Sequence, residues 1–367
     1  MTALRQFQNN TNEMEKKIKG QVIALLRHFE NQHGKAFDPG SVITAGVARI
    51  TGSVSFGENF ITSQDFREVL DLNEKGLKNF KDRQILTFLD FFPILAKYAP
   101  VSKKYKNLCD YGYGIIQSQI TKRKQTFDPT QPVRDLLDGL LKAQLEATFE
   151  SKEEKAALLS DDYLVCTLED MFAAGYDTTS SALRWSISYL VNYPQFQTEL
   201  QLQIDHVIGR DRLPSLKDRP SLPLIDAVAL ESLRIGNVSD MAIPHYTVKD
   251  TTLCGYRVPK DTVVITDLES VHLDPKCWDN PREFNPHRHL DANGNVNIKQ
   301  DNFVAFSAGR RMCAGDTLAK TELFLFLAII LHQYSLVKAE GEPLPDMEGV
   351  RAINHYPKPF KICAIKR

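Results

Sequence analysis

A chain of 367 residues, 43% hydrophobic and 25% charged, has an ordinary globular composition and can bury a large core. Its 45 basic and 46 acidic side chains leave a formal charge of -1, which excludes the global positive field that nucleic-acid binding relies on. The six cysteines form no CxxC pair and no metal-finger spacing, so reduced thiols fit best, and the polar start MTALRQFQNNTNEMEKK lacks the apolar stretch of a signal peptide.

Residues 13–32 place Ile18, Val22, Leu25, Leu26 and Phe29 at steps of three and four, which predicts an amphipathic helix ended by Gly34 and Pro39. Helical patterns continue to about residue 240, with breaks near Pro93, Pro100, Pro129 and Pro194 and in RLPSLKDRPSLP. Ser160 opens the longest pattern, with Asp161 and Asp162 in its first turn and a proline stop at Pro194. Such a helix would run roughly 50 Å. One of its stripes carries Leu164, Leu168, Met171, Gly175, Thr178, Ala182 and Trp185, so a gap in side-chain bulk is expected at Gly175 beside the Thr178 hydroxyl.

After Pro244 the text becomes rich in Thr and Val, which predicts short strands with turns at Lys249-Asp250 and Pro259-Lys260-Asp261. The apolar run LFLFLAIIL at 323–331, bounded by Glu322 and His332, is shorter than the ~20 residues of a bilayer-spanning helix and reads as a core helix. YSLV and PFKICAIK predict a last strand pair. No linker or repeat divides the chain, so residues 1–367 read as one unit, mainly α with small β-sheets.

Chemistry concentrates in FSAGRRMCAG, residues 306–315, just before a helix expected from about Ala314. Peptide N–H groups and a helix N-terminus favour the thiolate form of Cys313, the form that binds a metal. Gly309 and Gly315 would let the backbone approach a flat ligand, and Arg311 could neutralise a carboxylate on its rim. A lone cysteine is more often a small buried hydrophobe. The combination of Phe306, Gly309, Arg311, Cys313 and Gly315 in ten residues weighs against that reading. Two further patterns stand upstream. Glu231 and Arg234 in LESLR share a helix face, and AAGYDTTS sets two β-branched threonines in mid-helix, where their hydroxyls can bond the backbone.

These stretches resemble the cytochrome P450 monooxygenases, and the resemblance covers nearly the whole chain. It implies haem b, iron protoporphyrin IX, with Cys313 as axial ligand and Phe306, Gly309, Arg311 and Gly315 forming the haem loop. Glu231, Arg234 and, in FNPHRHL, Arg288 match a structural Glu-Arg-Arg cluster. AAGYDTTS matches the family's A-G-x-D-T-T with Ala174 and Gly175 lining the haem pocket, Thr178 as the alcohol serving oxygen activation and Asp177 as the acid of a proton relay. His245 in IPH resembles a haem-propionate contact. The implied reaction inserts one atom of O2 into a small lipophilic substrate, a steroid or an aromatic xenobiotic, with electrons from NADPH through NADPH-cytochrome P450 reductase or cytochrome b5. The stretches SVSFGENF, LLSDD and IPHYTVKDTTLCGYRVPKDT are similar to the microsomal animal group of steroid 17-hydroxylases and family 1 aryl-hydrocarbon hydroxylases, which implies the cytosolic face of the endoplasmic reticulum membrane.

The chain departs from that pattern in three places. Asn237 and Asp240 stand where the family usually has prolines, and His287 and His289 replace the usual acid and aromatic around Arg288. The match begins partway through a helix that follows the family's membrane anchor and first sheet, so the P450 fold is expected to lack its N-terminal part. The alternative function is a non-catalytic or haem-poor fragment of such an enzyme; a use of the haem for peroxide rearrangement is disfavoured by Asp177 and Thr178.

Overall fold

The computed structural model describes residues 11–78, 89, 93–149, 159–297 and 300–367. Most of the polar start, MTALRQFQNN, and the first two residues of FFPILAKYAP lie outside the described residues. Two compact units form, Met1–Asn31 with Gly40–Ser180, and Gln32–Pro39 with Ser181–Arg367.

The first unit is helical. Helix α1 (Thr11–Asn31) buries Met14, Ile18, Val22, Leu25 and Phe29, the stripe its periodicity predicts, while Leu26 sits at the half-buried edge. It packs on α2 (Gly40–Phe56), whose sequence is apolar or small on every side and which is accordingly buried nearly all round. Helices α3 (Gln64–Lys78), α4 (Pro100–Lys124) and α5 (Leu136–Phe149) follow, then α6 (Asp161–Asn192). Phe56, Phe60, Phe66 and Phe172 meet edge-on or tilted with ring centres 4.4–6.5 Å apart, the arrangement that aromatic quadrupoles prefer. Arg123 ties α4 to α5 by donating to Asp135 at 2.6 Å and Asp138 at 2.7 Å.

The second unit holds the rest of α6, then α7 (Pro194–Ile208), α8 (Pro223–Gly236) and α9 (Asp316–Gln333). Proline supplies the first residue of α4, α7 and α8, where its missing N–H costs nothing, so these prolines start helices as well as break them. All of Glu322–His332 is buried in α9, which makes the apolar run a core helix as predicted. Among the described residues no helix is long and apolar enough to cross a membrane.

The strands are short and antiparallel. They pair as β1 (His245–Tyr246) with β4 (Val263–Val264), β2 (Thr251–Leu253) with β3 (Tyr256–Val258), β5 (Tyr334–Lys338) with β8 (Ile362–Lys366), and β6 (Val350–Arg351) with β7 (His355–Tyr356). One detail corrects the sequence reading: the tight β2–β3 turn falls at Cys254-Gly255, with φ 49° and 84°, and not only at the Lys-Asp and Pro-Lys-Asp breaks. Two successive left-handed residues are what a two-residue hairpin needs.

Candidate active site

Residues 303–315 carry the cysteine on a loop closed by its own backbone. Ser307 N–H donates to Val304 O at 2.8 Å and Cys313 N–H donates to Phe306 O at 2.9 Å. Ser307 and Gly309 take positive φ of 58° and 74°, and Gly309–Arg311 is one 3-10 turn that leaves Arg310 and Arg311 exposed. At Gly309 glycine meets the conformational demand, and the space where a side chain would stand is open. Gly315 has a different use: a Cβ there would touch Cys313 Sγ at 3.9 Å, and its N–H hydrogen-bonds the sulfur. Phe306 lies under Lys320, whose ammonium is 4.7 Å from the ring centre.

Cys313 is exposed. Protein packed around its sulfur nevertheless raises the thiol pKa, and the Gly315 N–H and Lys320 offset only part of that, with Asp316 opposing them. The helix that follows begins at Asp316 with Gly315 as its N-cap. A bound cation would deprotonate the thiol. Among the described residues no group of three His, Cys, Asp or Glu side chains could hold a metal ion. The exposed Cys313 and the open space at the Gly309 turn leave room for a flat group that carries its metal's other ligands with it.

Behind the loop lies the cluster announced by Glu231, Arg234 and Arg288, which the fold does bring together. Glu231 and Arg234 have no exposed side-chain surface, and one guanidinium edge of Arg234 grips both carboxylate oxygens, Nε to Oε2 at 2.8 Å and Nη2 to Oε1 at 2.9 Å. Arg288 Nε and Asn285 N–H donate to Oε1 at 3.0 and 2.9 Å. The remaining donors find carbonyls: Arg234 Nη1 reaches His272 O at 2.7 Å and Pro281 O at 2.8 Å, and Arg288 Nη1 reaches Asp279 O at 2.6 Å. Burial alone would raise the Glu231 pKa, but the hydrogen bonds and charges of Arg234 and His289 outweigh it and bring it down to about 2.

The sequence reading missed three members of this site. His289 Nε2 lies 2.9 Å from Glu231 Oε2, Gln300 meets His289, and His272 Nε2 accepts from Val304 N–H at 3.0 Å. Asn237, one of the departures, ends α8 at φ 45°, a left-handed position proline cannot take, and its Oδ1 is 3.2 Å from His272 Nδ1. The Asp240 backbone carbonyl accepts from Leu268 and Glu269 N–H at 2.9 and 3.0 Å, and its carboxylate pairs with Arg351. His287 turns outward to Glu199 at 3.0 Å.

In α6 the helix runs unbroken through Thr178 and Thr179. Thr178 Oγ1 donates to Ala174 O at 2.7 Å, Asp177 and Thr179 are buried, and Ala174 is exposed. The gap expected at Gly175 is filled by the first unit itself, since a Cβ would fall 2.8 Å from Thr51 Cγ2. Glycine at position 175 thus allows α2 to approach α6 closely. His245 opens β1, opposite Val264, and is exposed.

Residues 1–364 match the family described as Cytochrome P450. The chain belongs to this family. Among curated proteins it is 34% identical to the steroid 17-alpha-hydroxylase/17,20 lyase of Gallus gallus, over 99% of this chain and 71% of that protein. Cytochrome P450 2D14 of Bos taurus is 33% identical, over 100% and 72%, and cytochrome P450 2D6 of Homo sapiens is 32% identical, over 100% and 73%. The P450 loop, cluster and helix motifs thus lie in a chain assigned by similarity along its length, a cytochrome P450 monooxygenase of the haem-thiolate class.

Proposed function

We propose that this P450 inserts one oxygen atom from O2 into a lipophilic substrate, a steroid or an aromatic xenobiotic, with electrons from NADPH through a reductase or cytochrome b5. We further propose haem b as the cofactor, residues 1–367 as one haem domain, and the cytosolic face of the endoplasmic reticulum as its place. The observation that carries the reading is the exposed Cys313 following a glycine turn, backed by a fully paired buried carboxylate. Similarity to a steroid 17-alpha-hydroxylase/17,20 lyase supports the substrate class.

In this reading Cys313 holds the haem iron, Gly309 leaves room for the ring, and Arg311 and His245 meet its carboxylates. When bound, the haem supplies the reduction of dioxygen and the oxidising step, favoured by electron density from the thiolate. Gly315 N–H tempers that density by bonding the sulfur. Thr178 gives its proton to Ala174 O and so keeps its lone pairs free to accept from a proton donor, which fits a residue that steadies a proton in transit. Asp177, buried on the same helix, is the acid that supplies it.

The test is the absorption spectrum of the reduced chain under carbon monoxide after haem supplementation. A strongly red-shifted Soret band is expected; an imidazole-like band, or no haem retained, would favour the haem-poor alternative. Thr178→Ala should lose turnover supported by NADPH and reductase, by about the hundredfold or more typical of a proton-transfer residue, while keeping turnover with peroxide. Full activity of that variant with NADPH would remove Thr178 from the mechanism.

A further inference from the structure

Both ring nitrogens of the buried His289 face oxygen. Nε2 lies 2.9 Å from Glu231 Oε2, and Nδ1 lies 2.7 Å from Gln300 Oε1. The Gln300 amide is oriented by its other end, where Nε2 donates to Arg288 O at 2.9 Å, so the oxygen is the atom turned toward the ring. A neutral imidazole has one N–H and would set its lone pair against one of these two oxygens. An imidazolium donates to both.

The charged groups around it agree with that state. Glu231 faces the ring directly, and Arg234 and Arg288 share the same carboxylate while passing their remaining donors to backbone carbonyls. The imidazole of His272, also buried beside the cluster, is neutral: its Nε2 accepts from Val304 N–H, and its pKa falls to about 4, chiefly through burial and then the charge of Arg234. Phe303 separates the two histidines, with ring centres 5.8 Å from each, and Trp278 lies 5.6 Å from His289.

From Gln300 the chain leads straight to the cysteine. Phe303 N–H donates to Gln300 O at 2.9 Å, Val304 N–H is held by His272, and Phe306 O holds Cys313 N–H. We propose that His289 is a positioning residue for Cys313: as an imidazolium it bridges Glu231 to Gln300 and ties the segment that carries the cysteine loop to the buried carboxylate. Where the family usually has an aromatic, this chain has a charged clamp. The clamp goes beyond the monooxygenase reading and rests on it only for the last readout below.

The first test is NMR of the chain with isotope-labelled histidine at neutral pH, the His289 signals being assigned with His289→Phe. Protons on both ring nitrogens are expected; a neutral tautomer would overturn the proposal. The second is hydrogen exchange of residues 300–306 in wild type, His289→Phe and Gln300→Met. Both variants should exchange about tenfold faster or more, the scale of one charge-assisted hydrogen bond; unchanged exchange in either sinks the tether. Should His289→Phe not fold, Gln300→Met, which leaves the two arginines on Glu231, serves both for the exchange measurement and, by its shifted ring signals, for assigning His289. Finally, at equal haem content, the variants should show a smaller fraction of the red-shifted carbon monoxide band, and an undiminished fraction would remove the positioning role. A wild type lacking that band would refute the haem-thiolate reading while leaving the first two results standing for the clamp.

Discussion

The Glu231 cluster and the Cys313 loop lie a few hydrogen bonds apart and are built by opposite rules. In the cluster the carboxylate is fully buried and accepts from five donors on two chain segments, α8 and residues 285–289. In the loop Cys313 is exposed, two residues have positive φ, and the sulfur takes a hydrogen bond from the Gly315 N–H. The difference separates support from work: strain and exposure sit where a ligand would bind, and the energy that holds them sits in the layer behind. Substitutions in the two regions should therefore trade stability against function in opposite proportions.

The largest stability effect is expected at Glu231. Glu231→Ala would leave Arg234 charged, buried and without its partner, at a cost of about 3–5 kcal/mol in chemical denaturation. The pH dependence has a definite sign. The folded pKa of Glu231 is lowered from 4.5 to about 2, so its contribution is complete above pH 4.5 and is lost as pH falls through about 2. Glu231→Gln should flatten acid destabilisation in that window; an acid limb as steep as the wild type's would mean that other carboxylates dominate it.

A smaller effect sharpens the contrast at Gly309. Alanine there meets no neighbour but must adopt φ 74°, a conformational cost of about 1 kcal/mol before any haem is added. Haem affinity should fall further than that, because the added methyl enters the space assigned to the ring. Equal losses in thermal stability and haem affinity would mean that Gly309 serves only the turn.

The same contrast explains what was legible in the sequence. Helices α1 and α9 and the β5–β8 pair announce themselves because their signals are periodic and local. The cysteine loop was legible because glycine, arginine and cysteine fall within ten residues. The clamp was not, since His289 meets Glu231 from 58 positions away and Gln300 carries no pattern of its own. Nor could helical spacing show that Thr51 would fill the notch at Gly175, because the stripe describes one helix and the filler comes from another. Asn237 and Asp240 read as departures, yet one caps α8 in a left-handed conformation and the other pairs its carboxylate with Arg351; a missing proline is visible in sequence, and the contacts made by the residue in its place are not.

The smallest stability effect belongs to the residue with the largest expected functional one. Serine at position 313 keeps a small polar side chain in an exposed place, so the chain without haem should change by no more than about 0.5 kcal/mol. Its hydroxyl does not ionise in the accessible range and is a poor match for iron, so the red-shifted carbon monoxide band should vanish entirely. The pairing of these two outcomes is the decisive part. A lone cysteine kept for packing would show the reverse, a clear stability loss of about 1 kcal/mol or more from a partly buried sulfur replaced by a hydroxyl. Loss of the band at unchanged stability would place Cys313 on the working side of the contrast, held by the cluster and contributing nothing to it.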